Sequence, residues 1–229
     1  MIKTIIFDLD GVLVDTKKVH FIALNLALKK VENIEISYPD HLKIFDGLPT
    51  KSKIAILIDQ GKIKKRNIKL IYDLKQSYTM KILQKEIKYS EKIEKLFFKL
   101  KKKFKIGIAT NSIKKTLNLC LNSLKIKKYV DYAISTNDIK FSKPHPEIYL
   151  KCLINLESMP SETLVLEDSY FGRIAAKEAN CNLMPIKYLS DVTYVNINNF
   201  INNMNLKNKT LDNKSWEDEK LNILIPMAG

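Results

Sequence analysis

Residues 5–16 read IIFDLDGVLVDT, and this stretch decides the fold. An apolar run ends in Asp8 and Asp10, two carboxylates separated by one residue, and Gly11 follows them. A short, nearly continuous apolar run is typical of a strand that is covered on both faces. Carboxylates at the end of such a strand are costly unless a partner compensates their charge. We therefore expect a functional site where this strand ends.

Four further apolar runs with β-branched residues predict the other strands of a sheet. They are Lys105–Ala109, Tyr132–Ser135, Thr163–Leu166 and Asn182–Ile186. Helical patterns lie between the later runs, at Ile113–Leu124, Pro146–Asn155 and Phe171–Ala179. Strands that alternate with helices favour an α/β fold with a parallel, Rossmann-like sheet and right-handed crossovers.

Residues 17–87 interrupt this alternation after the first strand. Their apolar periodicity is helical at Val19–Val31, Lys51–Asp59 and Asn67–Lys85, and none of the block reads as a strand. We predict a small helical cap at 17–87, inserted into a core formed by residues 1–16 and 88–195. The two crossings of the chain, near Thr16 and Tyr89, would then be hinges.

Composition excludes several classes of function. The formal charge of the 229-residue chain is +14, but it comes mostly from scattered lysines without interleaved stacking aromatics, so we expect no specific nucleic-acid partner. No apolar run approaches the roughly 20 residues that a membrane span needs. Asp8 follows the N-terminus too closely for a signal peptide, which predicts a cytoplasmic protein. The three cysteines form no CxxC pair and are expected to be buried, reduced thiols.

Polar residues directly follow two of the other predicted strands, and a further one lies in the loop beyond a third. They are Thr110-Asn111-Ser112, Lys143 in the segment SKPHP, and Glu167-Asp168. Ligands of an α/β sheet lie beyond the carboxyl ends of its strands, so these groups should meet Asp8 and Asp10. Neighbouring carboxylates repel each other unless a cation lies between them, and a hard divalent ion such as Mg²⁺ meets that need.

Four segments together carry a family resemblance. DLDGVLVDT, IATNS, SKPHPEIY and LVLEDS, in this order, resemble the signature motifs of the haloacid dehalogenase superfamily over roughly residues 1–190. The helical insertion resembles the cap of the β-phosphoglucomutase and phosphoglycolate phosphatase-like branch. The resemblance implies a phosphoric monoester hydrolase that binds Mg²⁺ and uses an aspartyl-phosphate intermediate.

The resemblance also implies roles for individual residues. Asp8 would be the nucleophile and a metal ligand, and Asp10 the general acid/base, with its backbone carbonyl on the metal. Thr110 would hold the phosphoryl group through its hydroxyl, and Lys143 would neutralise both that group and Asp8. Asp168 would also ligate Mg²⁺. The remaining candidates are Glu167, near the metal or acting through water, and the substrate-binding residues Asn111, Ser112, His20 and Lys51.

The choice between a phosphatase and a phosphomutase depends on residues of the cap. His20 resembles a histidine at the cap entry of β-phosphoglucomutases, but many phosphatases of the branch also have it. The loop at 46–51 resembles the substrate-specificity loop without the arginine that mutases usually carry. Lys51 or Lys53 could substitute, although a point charge does not replace a bidentate fork. We predict a phosphatase for a small phosphorylated metabolite, with sugar phosphates ahead of nucleotides. The alternatives are a β-phosphoglucomutase-like phosphomutase and a non-catalytic phosphate-binding module fused to a nucleotidyltransferase.

The tail from residue 196 to 229 is predicted to be a linker followed by a truncated or appended segment. Residues 196–215 are rich in Asn and Lys, with NINNFINNMN at 196–205 indicating a helix and NKTLDNK at 208–214 a loop or linker. Residues 221–229, LNILIPMAG, resemble the opening strand and first glycine of sugar nucleotidyltransferases. A strand that packs on the core is the alternative. The first interpretation implies a fused or neighbouring sugar nucleotidyltransferase as a partner.

Overall fold

The computed structural model describes residues 1–211, with side chains through residue 204. Five parallel strands form one sheet in the order β3-β2-β1-β4-β5. Their bounds are β1 Thr4–Phe7, β2 Lys105–Ala109, β3 Tyr132–Ile134, β4 Thr163–Glu167 and β5 Asn182–Pro185. The predicted strand positions are confirmed, with ends that differ by one residue at most. The central strand is β1, which carries the two carboxylates at its carboxyl end.

Nine α-helices lie within the described residues. They are α1 Lys17–Glu32, α2 Tyr38–Asp40, α3 Thr50–Asp59, α4 Ile68–Glu86, α5 Glu91–Lys101, α6 Lys114–Ser123, α7 Glu147–Asn155, α8 Tyr170–Glu178 and α9 Tyr194–Leu211. A π-helical turn, His41–Phe45, continues α2. Short 3₁₀ turns lie at Lys65–Asn67, Lys127–Tyr129, Thr136–Asp138, Pro160–Glu162 and Leu189–Asp191.

Alternate residues of β1 divide the core into two layers. Ile5 and Phe7 belong to the apolar cluster on one face of the sheet, and Ile6 belongs to the cluster on the other. In register, Ile6 lies between Gly107 of β2 and Val165 of β4. Because successive side chains of a strand point to opposite faces, a continuous apolar run is required here. This double coverage fixes β1 in the middle of the sheet, with its carboxyl end at the site.

A helical cap follows β1. The helices α1, α3 and α4 pack around an apolar cluster of their own, which includes Leu24, Phe45, Leu57 and Ile71. The Rossmann-like parallel sheet with a helical cap inserted after the first strand is therefore confirmed.

Helix α5 is not predicted from the sequence, and helix α9 packs on the core although a linker is predicted there. Helix α5, in a lysine-rich stretch, buries Ile93, Leu96, Phe97 and Leu100 against the sheet, and its N-cap Ser90 accepts a hydrogen bond from the Ile93 amide. Helix α9 begins at Tyr194, and its residues Ile197 and Ile201 are buried in the same cluster. The helix predicted at 196–205 is confirmed, and residues 196–204 pack on the core instead of beginning a linker. The interpretation of residues 221–229 lies outside the described residues.

The three cysteines are free and buried, as predicted. Cys120 lies in the cluster on one face of the sheet, and Cys152 and Cys181 lie in the cluster on the other. Burial raises the pKa of all three thiols. No helix in the described part of the chain is both long and apolar enough to cross a lipid bilayer.

Candidate active site

The carboxyl ends of β1, β2 and β4 bring the predicted residues together. Asp8 directly follows β1, Thr110 follows β2, and Glu167 ends β4. Asp8 is only 6 % exposed, and Thr110 and Glu167 are fully buried. Gly11 follows with a φ of +86°, a backbone conformation that residues with a Cβ rarely adopt. The spatial arrangement follows from strand order, because parallel strands present their carboxyl ends at one edge.

Lys143 joins the ends of these three strands. Its Nζ donates to Asp8 Oδ1 at 2.6 Å, to Glu167 Oε2 at 2.8 Å and to the backbone carbonyl of Ala109 at 2.9 Å. The ammonium also lies 4.9 Å from the centre of the Tyr149 ring. All three of its hydrogen-bond donors are therefore used within a buried cluster. These contacts make Lys143 the local counter-charge for two carboxylates.

Glu167 is hydrogen-bonded at both of its carboxylate oxygens. Oε2 accepts from Lys143 and from the Tyr149 hydroxyl, at 2.7 Å from the latter. Oε1 accepts from the backbone N–H and the hydroxyl of Ser169, the N-cap of α8. A Cβ on Gly172 would lie 1.9 Å from Glu167 Oε2, so the close packing of the Glu167 carboxylate on the α8 backbone requires glycine at this position. Glu167 is thus arranged to hold Lys143, and direct metal ligation would compete with these bonds.

Three carboxylates form a candidate cation site. One oxygen from each of Asp8, Glu167 and Asp168 lies within 4.8 Å of the others. Asp168 Oδ1 is buried and has no hydrogen-bond partner in the part of the chain that the structure describes. Burial and the neighbouring Glu167 carboxylate raise the pKa of Asp168 to about 6, and the same two causes raise the pKa of Asp8 well above its usual range. This donor set fits a hard divalent cation, which would relieve the excess negative charge.

The Asp10 carboxylate accepts hydrogen bonds from hydroxyl groups at both of its oxygens. Its Oδ1 accepts a hydrogen bond from the Thr16 hydroxyl at the entry to the cap. Its Oδ2 accepts from Thr110 Oγ1 at 3.1 Å and from Ser112 Oγ at 2.7 Å. Burial opposes ionisation, but these bonds and His20 lower the pKa of Asp10 overall. The carboxylate is therefore ionised and oriented by both the core and the cap.

His20 connects Asp10 to a buried lysine of the cap. Its Nε2 lies 3.1 Å from Asp10 Oδ1, and its Nδ1 lies 3.2 Å from Lys75 Nζ. Since an ammonium only donates, Nδ1 accepts and Nε2 carries the proton that is donated to Asp10. Burial and Lys75 lower the pKa of His20 to about 4. The histidine is therefore neutral near pH 7 and acts as a hydrogen-bond bridge between Lys75 and Asp10.

The cap and core enclose a cavity of about 480 Å³ beside these groups. Lys53 and Lys75 line it and are each 4 % exposed, whereas the predicted ligand Lys51 is exposed. Burial lowers the pKa of Lys53 to about 8 and, together with Lys53, lowers that of Lys75 to about 7. Neither lysine forms an ion pair with a carboxylate of the described chain. The cavity is therefore lined by two buried lysines without an ion-pair partner among the described residues.

Asn111 forms hydrogen bonds with both the cap and the core beside the cavity. Its Nδ2 donates to the backbone carbonyl of Gly47 in the cap at 3.1 Å, and the Lys143 backbone N–H donates to its Oδ1 at 3.1 Å. Gly47 has a φ of +73°, and a Cβ there would lie 2.9 Å from Ser169 Cβ. The predicted substrate residue Asn111 thus fixes the cap loop against the core.

The structure brings most predicted site residues to one place, but it separates them into two groups. Asp8, Lys143, Glu167 and Asp168 form the first group. The second surrounds Asp10 and contains Thr110, Ser112 and His20. Lys51 joins neither group and lies at the exposed rim. The predicted contact of the Asp10 backbone carbonyl with a metal stays a prediction.

Sequence reasoning missed Thr16, Lys75 and Tyr149. A signal for Lys75 existed, since it occupies the buried face of α4 between Ile71 and Thr79, where an apolar residue is the rule. Tyr149 reads as an ordinary core aromatic of α7, because only the fold brings its hydroxyl to Glu167. Thr16 reads as a helix cap, but its hydroxyl bonds Asp10 instead.

A parallel α/β core with a helical cap and an acid-rich site at the strand ends defines a class of capped hydrolases. The sequence model of haloacid dehalogenase-like hydrolases matches residues 5–186. The chain belongs to this family.

Solved structures resemble the chain over most of its length. β-Phosphoglucomutase from Clostridium difficile is 26% identical with a TM-score of 0.77, and the match covers 90% of this chain and 100% of that one. CbbY from Rhodobacter sphaeroides, solved with phosphate, is 24% identical with a TM-score of 0.70, covering 82% and 88%. A family IA hydrolase from Entamoeba histolytica is 22% identical with a TM-score of 0.72, covering 88% and 100%. No curated protein sequence matches the chain significantly.

Proposed function

We propose that this chain is a Mg²⁺-dependent phosphatase that hydrolyses a small phosphorylated metabolite through an aspartyl-phosphate on Asp8. One observation carries the proposal. Asp8 lines the cavity, its Oδ1 lies 2.6 Å from Lys143 Nζ, and one of its oxygens lies within 4.8 Å of an Asp168 oxygen. A carboxylate between a fixed ammonium and a candidate cation site is suited to attack a phosphoryl group, because phosphoryl transfer needs mainly positioning and charge neutralisation.

Each site residue has a separate role in the proposed phosphoryl transfer. An Asp8 oxygen forms a bond to phosphorus while the bond from phosphorus to the leaving oxygen breaks, and Lys143 neutralises charge on the phosphoryl oxygens. Asp10, which is ionised in the ligand-free site, takes up a proton when the anionic phosphoryl group binds beside it and raises its pKa. Asp10 then gives this proton to the leaving oxygen, and the resulting carboxylate takes a proton from the water that hydrolyses the aspartyl-phosphate. Asp8 and Asp168 would hold Mg²⁺, which would supply further charge neutralisation. Thr110 and Ser112 would exchange their bonds to Asp10 for bonds to the phosphoryl group.

The cavity supports a small, anionic substrate. Its size of about 480 Å³ suits a metabolite, and the cap that covers it excludes macromolecules. The buried lysines Lys53 and Lys75 have no ion-pair partner within the described residues, and an anionic group of the substrate would supply one. Sugar phosphates combine such charge with hydroxyl groups that the polar lining can bind. We place this activity in the cytoplasm, with no specific nucleic-acid or membrane partner.

A phosphomutase is the second candidate. The similarity to β-phosphoglucomutase from Clostridium difficile favours it, because the match covers that whole chain. The bridge from Lys75 through His20 to Asp10 is compatible with either reaction, since both need an oriented acid/base. Against the mutase, the cap loop offers lysines and no arginine fork. Phosphatase therefore remains the leading proposal.

A panel of phosphorylated metabolites with Mg²⁺ separates these proposals. Inorganic phosphate and isomerised product are both measured for each compound. Release of phosphate supports the phosphatase, whereas isomerisation of β-glucose 1-phosphate without phosphate release establishes the mutase. If no compound is turned over, including p-nitrophenyl phosphate, the result would favour a non-catalytic phosphate-binding module. Such a module would act beside a fused or neighbouring sugar nucleotidyltransferase.

Asp10→Asn should retain ligand binding and lose turnover. An amide cannot carry the proton between the leaving oxygen and water, and loss of an acid/base costs about 10²–10⁴-fold in rate. We expect kcat to fall by that factor while KM changes little. Thr16→Val is the matched variant, since it removes one bond that orients Asp10 and leaves the carboxylate in place, so its loss should be much smaller. An Asp10→Asn enzyme with native kcat would exclude Asp10 as the acid/base.

Binding of an anionic ligand should weaken as the pH rises from about 7 to 9. The pKa of Lys75 is about 7 and that of Lys53 about 8, so both lysines lose their protons in this range. A bound phosphate raises both pKa values, and binding above pH 7 is therefore accompanied by proton uptake. Calorimetry with inorganic phosphate in two buffers of different ionisation enthalpy measures that uptake. Lys53→Met should reduce it, and an uptake that is zero in the wild type would contradict the prediction.

A further inference from the structure

Lys17, the first residue of α1, bridges two carboxylates from different parts of the protein. Its Nζ lies 3.0 Å from Asp168 Oδ2 and 3.2 Å from Asp46 Oδ2. Asp168 belongs to the three-carboxylate cluster of the core, whereas Asp46 lies in the cap loop that precedes α3. The lysine therefore links this loop to the candidate cation site.

The Lys17 ammonium pairs with only one of the two carboxylate oxygens of Asp168. Oδ2 receives the Lys17 ammonium, while Oδ1 is buried without a hydrogen-bond partner among the described residues. The Asp168 side chain is 5 % exposed, so water cannot readily compensate its charge. A buried carboxylate oxygen without a partner is unfavourable and attracts a cation. Asp168 is therefore incompletely compensated even with Lys17 in place.

The Lys17 ammonium and a divalent cation require the same carboxylate. Hard cations bind carboxylate oxygens directly, and two positive charges a few ångströms apart repel each other. The lysine side chain is 36 % exposed and flexible, so it can leave Asp168 and keep its contact with Asp46. Competition at Asp168 follows from this geometry.

We propose that Lys17 lowers the Mg²⁺ affinity of the site by competing for Asp168, and that it thereby couples metal binding to the attachment of the cap loop. The inference rests on the proposed metal-dependent function. When Mg²⁺ displaces the ammonium, residues 46–51 lose their link to Asp168 and keep the hydrogen bond from Asn111 to Gly47. Because coupling is reciprocal, whatever fixes Lys17 on Asp168 weakens metal binding, and metal weakens that fixation.

Metal affinity without substrate tests the competition. Mg²⁺ binding is measured by calorimetry, and Mn²⁺ binding by electron paramagnetic resonance, on the metal-free full-length chain. Lys17→Gln should bind either ion about 5- to 10-fold more tightly, as expected when a partly exposed ion pair of about 1 kcal/mol no longer competes. Lys18→Gln is the control, because it removes the same charge at an exposed neighbouring residue. Equal affinities of the two variants would overturn the proposal.

Hydrogen exchange at residues 46–51 tests the coupling. In the wild type, saturating Mg²⁺ should accelerate exchange in this loop. In Lys17→Gln the exchange should already be faster and should not respond to the metal. A loop whose exchange is unchanged by Mg²⁺ in the wild type would overturn the coupling. Absence of Mg²⁺ and Mn²⁺ binding to the wild type would contradict the metal-dependent function itself, whereas wild-type binding with no effect of Lys17→Gln contradicts only the role of Lys17.

Discussion

Asp8→Asn is expected to abolish turnover, with a fall in kcat of at least about 10⁴-fold, the scale of losses seen when a catalytic nucleophile is removed. The neutral amide is a poor nucleophile and a weaker ligand for a divalent cation. Its position would barely change, since Asp8 is fixed by the backbone hydrogen bond from its N–H to Leu166 O at 3.0 Å. The fold should persist because Lys143 keeps Glu167 as a partner.

The measurement is a steady-state assay with p-nitrophenyl phosphate and Mg²⁺, together with acid quenching to detect the aspartyl-phosphate. The wild type should yield a phosphorylated peptide that contains residue 8, and the variant should yield none. Asp15→Asn is the matched control, because it makes the same chemical change at an exposed position of the same segment. If Asp8→Asn hydrolyses the substrate at the native rate, the nucleophile is another group.

Lys143→Met is expected to impair both stability and catalysis. The substitution leaves Asp8 and Glu167 buried without their shared counter-charge, and breaking a buried ion pair in this way costs on the order of 3–5 kcal/mol. For a chain of this size the melting temperature should fall by about 10 °C. Activity should fall further than stability explains, since the phosphoryl oxygens also lose a positive partner.

The pH dependence identifies the cause of that instability. Without Lys143, the pKa values of the two carboxyl groups rise in the folded state, so the folded variant binds more protons than the unfolded chain. Its stability should therefore increase as the pH falls from about 7.5 toward 5. Thermal melts at these two pH values measure the change. Lys115→Met, on the exposed face of α6, is the control and should melt like the wild type. A Lys143→Met variant that melts like this control would show that the ion pair contributes no stability.

The sequence predicts the sheet and the catalytic edge well because both follow from local signals. Continuous apolar runs identify buried strands, and parallel topology then places whatever follows each strand at one edge. Asp8, Thr110 and Glu167 illustrate this, since each lies where its strand ends. Helix α5 is less visible, because lysines on its exposed face dilute the apolar stripe that includes Phe97. The sequence does indicate the helix at 196–205, but its asparagine-rich composition hides the packing of Ile197 and Ile201 on the core.

The orientation of the side chains was not predictable in the same way. The motif containing Asp10 does not indicate that its carboxylate accepts hydrogen bonds from Thr16 and His20. Likewise, the acidic pair at the end of β4 does not reveal that Glu167 holds Lys143 while Asp168 has an unpartnered oxygen. Such assignments depend on which distant side chains meet, as with Lys75, which is 55 residues from His20 along the chain.

The cysteines provide a built-in way to distinguish motion of the cap from unfolding of the core. Cys120 lies on one face of the sheet and Cys152 and Cys181 on the other, while residues 17–87 contain none. A thiol reagent added to the native protein therefore has no target exposed when the cap alone swings away. Its rate of reaction instead reports the opening of the sheet layers, and a comparison of Cys120 with Cys152 indicates which layer separates first.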